Sequence, residues 1–185
     1  MGDSGNAAEP AFERARRPEH KQHRRAAILA VARELATESG VREVSLRKVA
    51  AEVGLAKSNV VRYFSTREEI FLELIVEGWR DWADDVLARL RAGDDAIDAL
   101  SEPLAARPLF CDLLSQLGAA LEHNLSVPAA LNFKLAILDI TSELGTAIIQ
   151  ARPDLTQDEA EELVARATGC AGMYYTAAGL PTLRT

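Results

Sequence analysis

The chain has 185 residues, of which 48% are apolar and 26% are charged, with a net charge of −7. This length and apolar content allow one ordinary domain, or a small module joined to a larger one, with a core that needs no disulfide bonds. Two cysteines, Cys111 and Cys170, exclude a disulfide framework, and no His, Cys or Glu spacing fits a metal site, so we expect two small buried thiols, no metal and no other cofactor.

The charge is distributed unevenly along the chain. Residues 1–67 hold thirteen basic and eight acidic side chains, whereas residues 68–185 hold eight basic and twenty acidic ones. This split of +5 and −12 favours an N-terminal surface for a polyanion and an acidic remainder with another task. No stretch resembles a signal peptide or is long enough to span a bilayer, so the sequence predicts a soluble, cytoplasmic protein without a membrane partner.

Nearly all of the chain after residue 18 has helical periodicity, which predicts an all-α fold. Residues 1–18 are rich in Gly, Ala, Glu, Pro and Arg without periodicity, and this predicts a disordered arm. The first helix follows, with Ile28 and Leu35 on one apolar stripe, and Gly40 ends it. A second helix begins after Ser45 as its N-cap.

Gly54 is the centre of a predicted helix-turn-helix, because the chain turns sharply there and glycine tolerates a positive φ. Ala50, four residues earlier, is small enough for two helices to cross closely. The second helix of the pair is predicted over 57–63. Its polar and cationic side chains suit base edges and phosphates in a major groove. These candidate DNA-reading residues are Lys57, Ser58, Asn59 and Arg62.

The remaining elements are also predicted to be helices. The fourth begins after Ser65 or Thr66, with two glutamates at the positive end of its dipole, and runs to about residue 90. Thr156 and Glu159 have the spacing of a capping box at the start of the last helix. The predicted helices beyond the fourth cover about 94–105, 108–124, 128–151 and 156–178.

A basic helix ending in "ATESG", followed by "SLRKVAAEVGLAKSNVVRYFSTREEIF", resembles the TetR family of transcription regulators over roughly residues 20–74. The resemblance implies a three-helix head over 19–66 that binds double-stranded operator DNA, and an all-helical body over 67–185 for ligand binding and dimerisation. Beyond residue 74 the likeness is one of architecture. The implied function is that of a DNA-binding transcriptional regulator, a repressor released from a pseudo-palindromic operator by a small, largely apolar effector.

The resemblance also assigns roles around the recognition helix. Ser45 stands where the family touches phosphate, and Arg47 stands at the next exposed position of that helix. Tyr63 keeps one of two aromatic phosphate contacts, while Val61 replaces the other. Arg67 stands where a lysine commonly holds a phosphate, and its guanidinium can do so bidentately. The alternatives are a helix cap alone for Ser45, a solvated surface for Arg47 and a core position for Tyr63.

Apolar residues of the body correspond to those that line an effector cavity in the family. Two tryptophans in a chain that is 5% aromatic favour a ligand wall, although ordinary core packing is the alternative for each residue. The predicted cavity residues are Trp79, Trp82, Phe110, Cys111, Leu114, Phe133, Ile137, Met173 and Tyr174.

The last two long helices, over about 128–151 and 156–178, are expected to form a homodimer as half of a four-helix bundle, as is typical of the family. Small residues such as Gly169 and Gly172 allow close helix packing there, and packing within one protomer is the alternative. Family members often continue beyond the equivalent of "GLPTLRT", so we expect either a short body or a truncated chain.

Two other classes of function compete with this interpretation. A helical enzyme would use the carboxylate clusters at 81–85 and 158–162, but no nucleophile–base pair or di-metal Glu-x-x-His motif accompanies them, so no catalytic residue is predicted. A helical interaction protein that has lost DNA binding would have lost its DNA-reading polarity, whereas "AKSN" and Arg62 retain it.

Overall fold

A computed structural model of the chain describes residues 9–118 and 125–178. Every regular element in these residues is helical, which confirms the all-α class. The N-terminal part contains helix α1 (Glu9–Ser39), a 3-10 turn (Val41–Glu43), α2 (Leu46–Val53) and α3 (Lys57–Val61). Among these residues, no helix is both long and apolar enough to cross a membrane.

Helix α1 begins earlier than predicted. The disordered arm was expected to reach residue 18, but the helix begins at Glu9, and only residues 1–8 of the predicted arm lie outside the described range. Pro10 falls in the first turn, where its missing N–H has no helical partner to lose. The alanines, arginines and glutamates that follow are good helix formers, so composition favoured helix where apolar periodicity was absent.

The turn between α2 and α3 has the predicted geometry. The Ser45 hydroxyl accepts a hydrogen bond from the Lys48 N–H at 3.2 Å and so caps α2. Gly54 ends the helix with φ of 70°, in the left-handed region that glycine enters without strain. Val49 and Ala50 of α2 and Val60 of α3 are buried in the crossing.

Helix α3 is shorter than the predicted span of 57–63. It ends at Val61, and the Tyr63 N–H bonds back to the Val60 carbonyl at 2.9 Å, three residues earlier, so the chain tightens into a turn. Its N-cap, Ala56, makes no side-chain capping bond. Arg62 and Tyr63 therefore lie on the turn that follows α3.

Helix α4 (Arg67–Ala92) connects the head to the body. Thr66 is its N-cap and accepts from the Glu69 N–H at 3.2 Å, while the Glu69 carboxylate accepts from the Ser65 N–H at 2.8 Å. Gly93, with φ of 90°, ends the helix close to the predicted position.

The described residues of the body continue with α5 (Ala96–Ala105), α6 (Pro108–Ser115), α7 (Val127–Ala151) and α8 (Gln157–Ala178). The predicted helix over 108–124 is interrupted by a turn at Gln116, whose N–H bonds the Leu113 carbonyl at 3.1 Å; residues 119–124 lie outside the described range. The capping box at Thr156 and Glu159 is confirmed by hydrogen bonds in both directions, at 2.9 and 3.3 Å.

The two cysteines occupy different environments. Cys111 is buried as predicted, its thiol lies 3.4 Å from the Leu104 carbonyl, and burial raises its pKa. The prediction that Cys170 is buried is wrong, because this residue is exposed in the protomer. The buried face of α8 runs through Ala160, Val164, Thr168 and Gly172, and a residue at position 170 points away from it.

Helices α4 and α6 pack closely because Gly78 has no side chain. A Cβ at Gly78 would lie 2.5 Å from the Phe110 Cδ2 atom, so the Phe110 ring occupies the space that a side chain would fill. This contact brings the Phe110 ring centroid to 6.2 Å from that of Trp79, which packs edge-on against Trp82 at 5.4 Å. An aromatic cluster therefore forms at the α4–α6 contact.

We expect Gly78→Ala to lower the free energy of unfolding by about 1–2 kcal/mol, because the added methyl displaces the buried Phe110 ring. Gly169→Ala is the matched control: this glycine also lies inside a helix, and a Cβ there meets no atom of the described residues within 4 Å. That change should stabilise by about 0.5–1 kcal/mol through helix propensity alone. Urea unfolding followed by circular dichroism compares the two, and equal effects would contradict the close packing at Gly78.

Candidate nucleic-acid interface and effector groove

The side chains predicted to read DNA project from the head. Lys57, Ser58 and Asn59 of α3 and Arg62 of the next turn are all exposed. None of these four side chains forms a hydrogen bond or ion pair with another residue of the described ranges. Val60, between them in sequence, is fully buried and fixes the orientation of the short helix. The face is therefore polar, cationic and free to contact a ligand.

Of the flanking residues predicted to contact phosphate, one is exposed and the others already contact the rest of the protein. Arg47 is exposed on α2, whereas the Ser45 hydroxyl already caps that helix. Tyr63 is half-buried and packs against the hydrophobic core. The Arg67 guanidinium donates to the Val44 carbonyl at 3.2 Å and pairs with Glu68 at 2.8 Å. Arg67 thus fixes the start of α4 against the segment before α2.

Beyond the Arg67 contact, three polar contacts connect the head to the body within the described residues. Arg25 of α1 pairs with Glu73 of α4 through both guanidinium nitrogens and lies over the Phe64 ring at 4.4 Å; partial burial lowers its pKa. Arg33 pairs with Glu77 one turn further along both helices. In the third contact, the Val41 N–H donates to the Asp112 carboxylate of α6 at 2.9 Å.

Sequence reasoning did not identify Arg25 or Asp112 as connecting residues. Arg25 lies in a basic run that reads as a solvated surface. Asp112 is a single acid in an apolar helix, and its partner is a backbone N–H 71 positions away. In the sequence, the position next to Val41 is marked by Gly40. Its φ of 84° turns the backbone towards Asp112 of α6.

The body contains a groove with a volume of about 370 Å³ between α4, α6, α7 and α8. Four of the nine predicted cavity residues line it, and the residues of α8 that face it are mostly small. The residues of the groove wall are Trp79, Leu114, Ser115, Leu117, Ile137, Thr141, Ala165, Thr168, Gly169, Gly172, Met173 and Thr176.

The other five predicted cavity residues lie elsewhere, so the nine do not form one site. Trp82 is fully buried in the core, where its indole N–H donates to the Leu100 carbonyl at 3.2 Å. Cys111 is buried among α5 and α6, and Phe110 and Phe133 face other clefts. Tyr174 is 67% exposed. Helical periodicity identified apolar positions but could not show which helix each one faces.

Two family models match this chain, one over the head and one over the body. A family model described as "Bacterial regulatory proteins, tetR family" matches residues 28–74. A second model, "Tetracyclin repressor-like, C-terminal domain", matches residues 76–182, more than half of the chain. The chain belongs to the TetR family. This membership confirms the predicted family.

Relatives within the family are distant. The HTH-type transcriptional regulator Rv1816 of Mycobacterium tuberculosis and its counterpart Mb1846 of Mycobacterium bovis are each 33% identical over 92 residues, which make up 49% of this chain and 38% of each relative. The match thus spans under two fifths of these curated relatives. The solved structure of the fatty acid degradation regulator FadR from Bacillus halodurans shares the fold, with a TM-score of 0.58 and 14% sequence identity. The superposition covers 85% of this chain and 87% of the FadR chain.

We expect Asp112→Ala to destabilise this TetR-family chain by about 1–3 kcal/mol, because the Val41 N–H loses its acceptor in a partly buried position. Asp112→Asn retains an acceptor oxygen and should recover most of that loss. Thermal or urea unfolding measures both variants. The hydrogen bond would not be the stabilising feature if alanine and asparagine were equally damaging, or if neither had an effect.

Proposed function

We propose that this chain is a homodimeric, cytoplasmic repressor that binds a pseudo-palindromic operator and is released by a small, largely apolar effector. The observation that carries the proposal is the free polar face of Lys57, Ser58, Asn59 and Arg62 beside the left-handed turn at Gly54. Exposed cations and amides on a projecting helix suit phosphates and base edges.

The helix-turn-helix geometry supports a major-groove contact. Gly54 turns the chain so that α3 crosses α2 over the buried Val60, and its opposite face points away from the head. Arg47 and Lys57 add charge that attracts the phosphate backbone at either side of that face. In a symmetric dimer the two α3 helices would enter successive major grooves about 34 Å apart.

An exposed apolar stripe on α7 supports dimerisation through the last two long helices. Leu131, Leu135 and Leu138 are 53–56% exposed at i, i+4 and i+7, on the side of α7 opposite the buried Ile140 and Leu144. On α8, Tyr174 is also exposed. A second copy that covered these surfaces would bury them in a four-helix bundle.

The groove of the body supports an effector that acts through two helices. Trp79 belongs to α4, and Leu114 and Ser115 belong to α6, so a molecule in the groove contacts both. Helix α6 holds the head through Asp112, and α4 holds it through the Arg25–Glu73 and Arg33–Glu77 pairs. An effector that binds better when these helices shift would change the separation of the two α3 helices.

We expect Lys57→Ala and Arg62→Ala each to weaken operator binding by about tenfold, and Lys57→Ala to reduce the dependence of affinity on salt by roughly one ion. Fluorescence anisotropy with labelled operator DNA at several salt concentrations measures both quantities. Arg91→Ala is the matched control, because it removes the same charge from an exposed position near the far end of α4, about 36 Å from its start.

Affinity that is independent of salt, together with wild-type binding by both head variants, would contradict the DNA-binding proposal. That result would favour the helical interaction protein considered above. A loss of affinity in Arg91→Ala equal to that of Lys57→Ala would show that net charge, and not the α3 face, determines binding.

We expect Leu135→Glu combined with Leu138→Glu to produce a monomer, because two carboxylates would lose their water in the bundle without gaining a partner. Operator affinity should fall with it, since only a dimer can occupy two half-sites. Sedimentation equilibrium measures the assembly. Ile97→Glu is the control: Ile97 is 49% exposed on α5 and is not part of the leucine stripe of α7. A double variant that remained as dimeric as Ile97→Glu would contradict this interface.

A further inference from the structure

The indole N–H of Trp79 has no hydrogen-bond partner in the described part of the chain. The side chain is 5% exposed and its nitrogen is closed off from solvent. Trp82, three residues on, donates its indole N–H to the Leu100 carbonyl at 3.2 Å. A buried donor without an acceptor is destabilising, and buried tryptophans normally find a partner. Trp79 also lines the groove, so the missing acceptor can be supplied from there.

Three of the four hydroxyl groups in the described groove wall already donate to a carbonyl of the protein. Ser115 donates to the Asp112 carbonyl at 2.6 Å, Thr168 to the Val164 carbonyl at 3.1 Å and Thr176 to the Gly172 carbonyl at 3.1 Å. The fourth, Thr141, has a half-buried side chain on the open groove, so among the described groove residues Trp79 is the solvent-shielded donor that lacks an acceptor.

The groove offers no counter-ion to a charged ligand. No Asp, Glu, Lys or Arg lies among the described residues of its wall, which combines apolar side chains such as Ile137 and Met173 with small residues of α8. A carboxylate or an ammonium group would lose its hydration there without an ionic partner, which is costly. A neutral ligand loses much less.

We infer that the effector is an uncharged, mainly apolar molecule with a carbonyl-type acceptor that receives a hydrogen bond from the Trp79 indole N–H. This inference rests on the proposed function and specifies the chemistry of its effector. Because the nitrogen is shielded, the side chains around it must move apart as the acceptor enters. The effector can therefore accept this hydrogen bond only when the side chains have moved apart, so it binds that arrangement of the protein more tightly than the closed one.

Three probes of nearly equal shape test this assignment on the full chain: 2-acetylnaphthalene, 2-isopropylnaphthalene and 2-naphthoate. Equilibrium dialysis gives the Kd of each for the wild type and for Trp79→Phe. The hydrocarbon is 2-isopropylnaphthalene and the ketone is 2-acetylnaphthalene. The ratio of the hydrocarbon Kd to the ketone Kd should be about five- to tenfold smaller in Trp79→Phe than in the wild type, because only the ketone loses a hydrogen bond. Using this ratio cancels the effect of the substitution on packing.

Trp82→Phe is the matched control, since its N–H is already bonded to Leu100 and does not face this groove. It should leave the ratio unchanged, and circular dichroism checks that both variants are folded. The inference is overturned if Trp79→Phe leaves the ratio unchanged, if 2-naphthoate binds more tightly than the ketone, or if none of the three probes binds.

Operator anisotropy in the presence of the ketone separates this inference from the proposed function. A Trp79-dependent ketone preference supports the effector class whether or not operator affinity changes. Operator affinity that is unchanged at saturating ketone overturns release by this class of molecule while the dialysis result stands on its own.

Discussion

The contact between Gly78 of α4 and the Phe110 ring of α6 sets the position of α6, and much of the remaining structure depends on it. The ring occupies the space of a missing side chain, so the two helices approach more closely than any other residue at position 78 would allow. Asp112 lies two residues after Phe110, and side chains two apart on a helix point in nearly opposite directions. Helix α6 is therefore held between α4 on one side and the Val41 N–H of the head on the other.

The head and the body share one hydrophobic core as a result. Ile28 of α1, Val60 of α3, Ile70 and Val86 of α4, and Val164 of α8 belong to a single buried cluster. A boundary between residues 66 and 67 remains a prediction about sequence organisation, but the apolar side chains of α4, which begins at that boundary, belong to the same buried cluster as those of the head. A displacement of α4 or α6 within the body must consequently alter contacts of the head, since interiors this closely packed do not absorb shifts locally.

Features governed by local chemistry could be predicted from the sequence. The cap at Ser45, the left-handed turn at Gly54 and the capping box at Thr156 each depend on residues within a few positions, so the sequence alone specified them. The end of α3 could not be predicted in the same way, because the helix closes in a tight turn at Arg62 that no glycine or proline marks. The polar face of α3 followed from the same local rules as the turn beside it.

Features governed by contacts between distant helices were harder to predict. Cys170 and Tyr174 are apolar residues at helical spacing, and only the packing of α8 shows that they lie off its buried face. Trp79 and Trp82 are chemically identical and three residues apart, yet the Leu100 carbonyl accepts from Trp82, while no acceptor for Trp79 lies in residues 9–118 or 125–178. Helical periodicity predicts which residues are buried. The role of a buried residue depends on which other residues it packs against or bonds to, and periodicity does not predict these.

The strength of the links between body and head is consistent with regulation by a small molecule. Arg25, Glu73, Arg33 and Glu77 are each about a third or more exposed, so these ion pairs contribute only about 0–1 kcal/mol each. The Val41–Asp112 bond adds a contribution of about 1 kcal/mol. Allosteric coupling energies are typically about 1–3 kcal/mol, and a tenfold change in affinity needs about 1.4 kcal/mol. An effector that rearranged these few contacts would thus change operator affinity measurably while the shared core stayed intact, and bound operator would reduce effector affinity by the same factor.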